Sequence, residues 1–148
     1  MIWTPHVTVA AVVEQAGRFL LVEEEAEGAR VFNQPAGHWE QGESLIDAAI
    51  RETREETGYS LIPEAVLGIY HWRHPRKDIT YLRVAFTGRV GERDESQPLD
   101  TGIIAPHWFS RAEMLDRADA LRSPQVLRCV DDYLAGRRYP LELLVDVV

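Results

Sequence analysis

Apolar positions along the chain follow a strand-like pattern first and a helical one later. Val7 to Val13 is a short run of β-branched and small apolar residues, the pattern of a buried strand. Glu14-Gln15-Ala16-Gly17 carries a turn signal, and Phe19 to Val22 reads as a second strand, hairpin-paired to the first. Glu23 to Gly28 reads as a polar, acidic loop. Val31-Phe32 reads as a short strand ended by Asn33-Gln34-Pro35, and Pro35 to Gly42 as an irregular loop. The period then changes. Ser44 is a good N-cap with Asp47 at the capping-box position, and the helix it opens runs to about Thr57 before Gly58. On a helical wheel Ile46, Ala49, Ile50 and Thr53 form the core face. Glu52, Glu55 and Glu56 fall on another arc, shared with Leu45 and Ala48.

Strand character returns at Val66 to Trp72, and a turn follows at His74 to Asp78. Ile79 to Val90 predicts a long strand with Tyr81, Arg83, Ala85 and Thr87 on one side and Leu82, Val84 and Phe86 on the other. Gly91 to Gly102 is a long polar loop. Ile103 to Phe109 is a strand broken by Pro106, hence an edge. Ser110 caps a short helix over Arg111 to Leu115. Ser123-Pro124 opens a last helix ending near Gly136. The tail, Tyr139 to Val148, is apolar enough to require packing. Together these predict one α/β domain over residues 1–148, a mixed sheet flanked by helices in an α/β sandwich.

Charge narrows the function. The 16 basic and 24 acidic residues give a formal net charge of −8, which argues against non-specific binding to nucleic acid or to an anionic membrane. A phosphorylated small molecule fits such a chain only where a cation mediates. The single cysteine, Cys129, has no partner for a disulfide or a thiolate zinc site, and its apolar neighbours predict a buried, inert thiol. No apolar run reaches the ~18 residues of a membrane span. The first residues lack the basic-then-apolar pattern of a secretory signal, so a cytoplasmic location is expected.

Glu52, Glu55 and Glu56 stand at i, i+3 and i+4, so they are neighbours on the helix and repel one another. A divalent cation relieves that repulsion, and carboxylate oxygens are the ligands Mg²⁺ prefers. The small Ala48 predicts an open shelf beside them. A solvated helix face, with Arg51 and Arg54 pairing to nearby carboxylates, accounts for the same residues without a metal.

The wider frame points to the metal. Gly37 is followed after five residues by Glu43, after seven more by Arg51-Glu52, and then by Glu55-Glu56 and Gly58. This resembles the Nudix box, G-x5-E-x7-R-E-U-x-E-E-x-G-U, where U is apolar. All seven glycine and polar positions match, while Thr53 and Tyr59 depart from the apolar ones. The resemblance implies a Nudix-type α/β/α sandwich and hydrolysis of a phosphoanhydride by water. Glu52, Glu55 and Glu56 would ligate Mg²⁺ or Mn²⁺ with the Gly37 carbonyl. Arg51 and Glu43 would hold the array in register, and Glu55 or Glu52 would act as base.

The segments Pro5 to Ala10, Asn33 to His38, Leu121 to Pro124 and Arg138 to Glu142 are similar to the NudJ-type phosphatase branch, although Trp39 replaces an expected leucine. That likeness implies nucleoside di- or triphosphates, or hydroxymethylpyrimidine diphosphate, as substrates of a monomer or homodimer. Asn33 and Gln34 would hydrogen-bond a ring, and His38 would touch phosphate. Tyr81 and Arg83 would stack on a base or bind phosphate. For all five, turn or sheet packing is the competing explanation. Glu92, Asp94, Glu95 and Asp100 are candidates for an acidic ligand beyond the box, Asp100 first among them. Two alternatives stand. One is a pyrophosphatase acting on ADP-ribose or another nucleoside-diphosphate-X. The other is a non-catalytic nucleotide-binding module, which would be expected to lack box carboxylates.

Overall fold

The computed structural model describes residues 1–148. Seven strands run β1 (His6–Gln15), β2 (Arg18–Ala26), β3 (Ala29–Asn33), β4 (Ala36–His38), β5 (Tyr59–Arg73), β6 (Thr80–Arg93) and β7 (Ile103–Phe109). Three α-helices interleave them: α1 (Leu45–Thr57), α2 (Arg111–Asp116) and α3 (Pro124–Leu134). The strand order is β3-β2-β1-β6-β5, with β4 on β1 and β7 on β2. β1 and β6 pair in parallel from His6/Tyr81 to Val13/Gly88, and the other pairings are antiparallel. The mixed sheet is as expected.

Alternation along β1 builds both faces of the molecule. Val9, Ala11 and Val13 pack with Ala48 and Ala49 of α1, while Ala10 and Val12 pack with Val126, Cys129 and Val130 of α3. The sheet is thus buried between helices, the α/β/α layering that a strand apolar on both faces requires. Cys129 is fully buried.

The sheet also splits. Along one edge β1 pairs first with β4, at Thr8 to Ala10, and then with β2 only at Glu14 and Gln15. Elsewhere β1 and β2 do not pair, and a cleft is lined there by residues of β2, β3 and β4.

Several boundaries differ from the sequence reading. The acidic segment Glu23–Ala26 is strand rather than loop, because β3 pairs with it from Val22/Asn33 to Ala26/Ala29. Part of the Pro35–Gly42 segment is β4, three residues docked on β1, too short for any periodicity to show. β5 begins at Tyr59, not Val66. Three register shifts against β6, one next to Pro63, break the alternation that would have revealed it. The helix face is also rotated from expectation. Ala48 is fully buried instead of forming an open shelf, and Ile46 and Ile50 are only partly buried. The physical reason is that α1 is covered from two sides, by the sheet and by β4, so its inner arc extends into the glutamates.

Other readings hold. Ser44 caps α1, its hydroxyl accepting from the Asp47 N–H, and Gly58 ends it at φ 78°. Ser110 and Glu113 form a reciprocal capping box on α2. β7 lies at an edge, with Pro106 opposite Val22. The tail packs only in part: Tyr139 N–H and C=O both bond Val66 at 2.8 Å and Leu141 and Leu144 rest on the core, whereas Leu143, Val145, Val147 and Val148 are exposed.

Candidate active site

α1 presents its carboxylates to the cleft. Glu52 and Glu56 are each only 8% exposed, whereas Glu55 is nearer the solvent. A carboxylate oxygen from each of Glu52, Glu55 and Asp100 lies within 4.8 Å of the others. Asp100 comes from the long loop after β6, and its N–H bonds the Glu55 carbonyl at 3.0 Å. Three oxygen donors at that spacing are a donor set suited to a hard divalent cation. Glu92, Asp94 and Glu95 do not belong to the group.

Glu56 turns the other way. Its Oε1 accepts the Ala36 N–H at 2.9 Å, tying α1 to β4. Burial, aided by Glu52, pushes its carboxyl up to about 9. Burial also raises Glu52 and Glu55, against the opposing pull of Arg51, and Asp100 adds to the rise at Glu55. Burial is the leading cause of all three shifts, with the neighbouring acids adding to it, so these carboxylates are held where ionisation is costly without a counter-charge.

Arg51 is the cation within the box. Its Nε and Nη2 fork onto Glu43 at 3.0 and 2.8 Å, and Nη1 reaches Glu52 at 2.7 Å and Glu55 at 3.2 Å. Nη2 also donates to the His38 carbonyl at 3.1 Å. Glu43 is held well below the usual carboxylate range by this arginine. One guanidinium therefore fixes two helix carboxylates, the entry loop and the end of β4. A lysine could not match that planar fork.

Gly37 explains the space beside them. A Cβ at this position would collide with the Glu52 carboxyl group. The missing side chain thus makes room for the Glu52 carboxylate itself, and Ala48 has no part in it.

From Glu52 and Glu56 a cavity of about 700 Å³ extends past β4 and β1 toward α3. Asn33, His38, Tyr81 and Arg83 line it. His38 shares a 3.0 Å hydrogen bond with His6, and burial with His6 beside it lowers its basicity. Tyr81 stacks on Trp72, ring centroids 5.8 Å apart. Gln34 does not reach the cavity. It is 1% exposed; its carbonyl oxygen accepts from Arg83 at 2.8 Å and its amide donates to the Val126 carbonyl at 2.7 Å. The expectation that Gln34 meets substrate is corrected: both ends of its amide are spent on holding β6 and α3 together. Ser123, read from the sequence only as the start of the last helix, and Gln125, not singled out at all, are also on the cavity wall. They sit at the start of a helix far along the chain, where the capping signal of Ser123-Pro124 says nothing of the distant strands the helix will face.

A match to the NUDIX domain covers residues 4–129. The chain is 44% identical over 142 residues to Phosphatase NudJ of Escherichia coli strain K12, covering 96% of this chain and 92% of that protein. Identity and coverage are the same for Phosphatase NudJ of Shigella boydii. A solved NUDIX hydrolase from Nitrosomonas europaea superposes with a TM-score of 0.96 at 50% identity, covering 97% of this chain and 98% of that one. The chain belongs to the Nudix hydrolase family.

Proposed function

We propose that the protein hydrolyses a phosphoanhydride in a small diphosphate-containing metabolite, in a reaction that depends on Mg²⁺ or Mn²⁺. The substrate class is nucleoside di- or triphosphates or hydroxymethylpyrimidine diphosphate. The observation that carries the reading is the convergence of Glu52, Glu55 and Asp100 beside a cavity of small-metabolite size. Near-full-length likeness to proteins named as phosphatases supports it.

Glu52, Glu55 and Asp100 would hold the divalent ion, with Glu56 and the Gly37 carbonyl at the same wall. Bound there, it would neutralise the diphosphate and polarise its phosphorus. The residues do the rest. Arg51 holds Glu52 and Glu55 in fixed rotamers, so little reorganisation accompanies the reaction. Glu55, with 38% of its side chain exposed against 11% for Glu52, is the carboxylate more open to water. It takes the proton as the water oxygen attacks phosphorus in line and the bridging P–O bond breaks. His38 stands on the cavity wall, where it can donate to a phosphate oxygen.

The test is a phosphate-release assay with nucleoside di- and triphosphates, hydroxymethylpyrimidine diphosphate and ADP-ribose, with Mg²⁺ or with EDTA. Turnover is expected only with metal, and Glu55→Gln should lower kcat by about 10²–10⁴ with Tm preserved. Turnover surviving EDTA, or unaffected by Glu55→Gln, would refute the mechanism. Release of AMP from ADP-ribose as the dominant reaction would shift the substrate class to nucleoside-diphosphate-X compounds.

A further inference from the structure

Two buried side-chain polar atoms have no hydrogen-bond partner in the protein: Nε of Arg83 and Oε1 of Gln125. Both side chains line the cavity that runs from the carboxylates. They are 4% and 8% exposed, and buried polar groups are ordinarily paired.

A guanidinium carries five N–H donors. In Arg83, Nη1 donates to Gln34 Oε1 at 2.8 Å and lies 3.8 Å from the Cys129 sulfur, and Nη2 donates to Asn33 Oδ1 at 3.0 Å. All three partners are neutral. Gln125 Nε2 reaches Ser123 Oγ at 3.4 Å, leaving its Oε1 free. Gln34 links the two sites, because its amide also donates to Val126, the residue after Gln125. Two residues of the cavity lining therefore carry one unused donor and one unused acceptor, each buried at the wall and not open to solvent.

A second phosphate does not suit this wall. Ionised phosphate presents only acceptors, and the Gln125 oxygen would oppose it. The first amides of α3 are already used: Gln125 N–H on Ser123 Oγ and Val126 N–H on the Ser123 carbonyl, both at 3.2 Å. Of the three further cations lining the cavity, Arg76, Lys77 and Arg122, the last two are paired with Glu27 and Glu24. A ring carrying an acceptor beside a donor would satisfy both orphan atoms. The stacked rings of Trp72 and Tyr81 supply an aromatic surface in the same cavity. Register sets the reach. His38 pairs with Thr8 and Thr8 with Arg83, two strand spacings or about 10 Å, which leaves room for a diphosphate between ring and carboxylates.

We propose that Arg83 and Gln125 read the organic end of the substrate, a nitrogen heterocycle with an amino group beside a ring nitrogen. The ring nitrogen accepts from Arg83, and the amino group donates to Gln125. This deepens the hydrolase reading above and rests on it for the diphosphate.

Cytosine and uracil nucleotides test it, being matched in size but inverted in donor and acceptor along this edge. Calorimetric titration of the full-length protein with CMP and UMP, with Mg²⁺ and with EDTA, is expected to show CMP binding tighter by about tenfold or more. For CDP against UDP the same ratio should appear in kcat/KM, carried by KM. Gln125→Leu should bring both ratios to within about twofold at near-native Tm. Arg83→Met should do the same; because Arg83 also anchors Asn33 and Gln34, the Gln125 variant decides if that protein fails to fold. Equal affinity for CMP and UMP, no binding of either, or an unchanged ratio in Gln125→Leu overturns the subsite. Monophosphate binding needs no hydrolysis, so a CMP preference without any turnover would leave the subsite standing and remove the hydrolase reading instead.

Discussion

Gly37 and Arg51 show how single residues set the site. Gly37 is needed for what it lacks: a methyl there would occupy the space of the Glu52 carboxylate. Gly37→Ala should displace that carboxylate, weaken Mg²⁺ binding and lower kcat/KM by about tenfold or more, and the overpacking should lower stability by about 1–3 kcal/mol. Metal titration alongside thermal melts checks this. A variant with wild-type metal affinity would show that Glu52 has another resting position. Arg51 was legible from its place in the box, but the number of its partners was not. The sequence offered Glu43 or another box carboxylate, whereas the folded protein joins it to Glu43, Glu52, Glu55 and the His38 carbonyl at once.

Among the elements, α1 and the loop after β6 act as a unit. Gly58 ends the helix with a left-handed φ of 78°, and a Cβ there would lie 2.7 Å from the Asp94 carbonyl oxygen. The Asp94 N–H in turn bonds the Gly58 carbonyl at 2.9 Å. Gly58→Ala should therefore cost about 1–2 kcal/mol from the backbone conformation, and more from the clash. It should also loosen the loop that presents Asp100. Thermal denaturation reads the first effect, and amide hydrogen exchange over residues 94–100 reads the second. Unchanged exchange would mean that Asp100 is held by its own bond to Glu55 alone. Gly58 was legible as a helix stop. Its second task, receiving the loop, arises from contact across 36 residues and leaves no local trace.

For the molecule as a whole, burying acids couples stability to pH. The Glu56 carboxyl sits near 4.5 in an exposed setting and is pushed up to about 9 in the fold, and Glu52 and Glu55 shift the same way. In the metal-free protein the native state then binds more protons than the unfolded chain between these values, so stability falls as pH rises through that window. Tm in EDTA should be lower at pH 8.5 than at pH 6. Mg²⁺ should raise Tm more at the higher pH, where the carboxylates are ionised. Glu56→Gln keeps an acceptor for the Ala36 N–H and removes the charge. It should raise the metal-free Tm at pH 8.5 by about 3 °C or more and flatten the slope. A melting temperature in EDTA that climbs with pH would contradict the burial argument.

What the sequence determined by itself was local and periodic. The box residues, the caps at Ser44 and Gly58, the apolar run of β1, the alternation of β6 and the edge position of β7 depend on near neighbours or on a repeating pattern. Net negative charge already pointed to a mediating cation for any phosphate ligand. Tertiary structure decided whatever depends on distant segments meeting. It made β4 a strand, moved Ala48 into the core, drew Asp100 to Glu52 and Glu55, and turned Gln34 into a brace between Arg83 and α3. Burial and hydrogen-bond partnership are properties of the packed neighbourhood, and a side chain's own position in the chain does not encode which distant strand or helix will close over it.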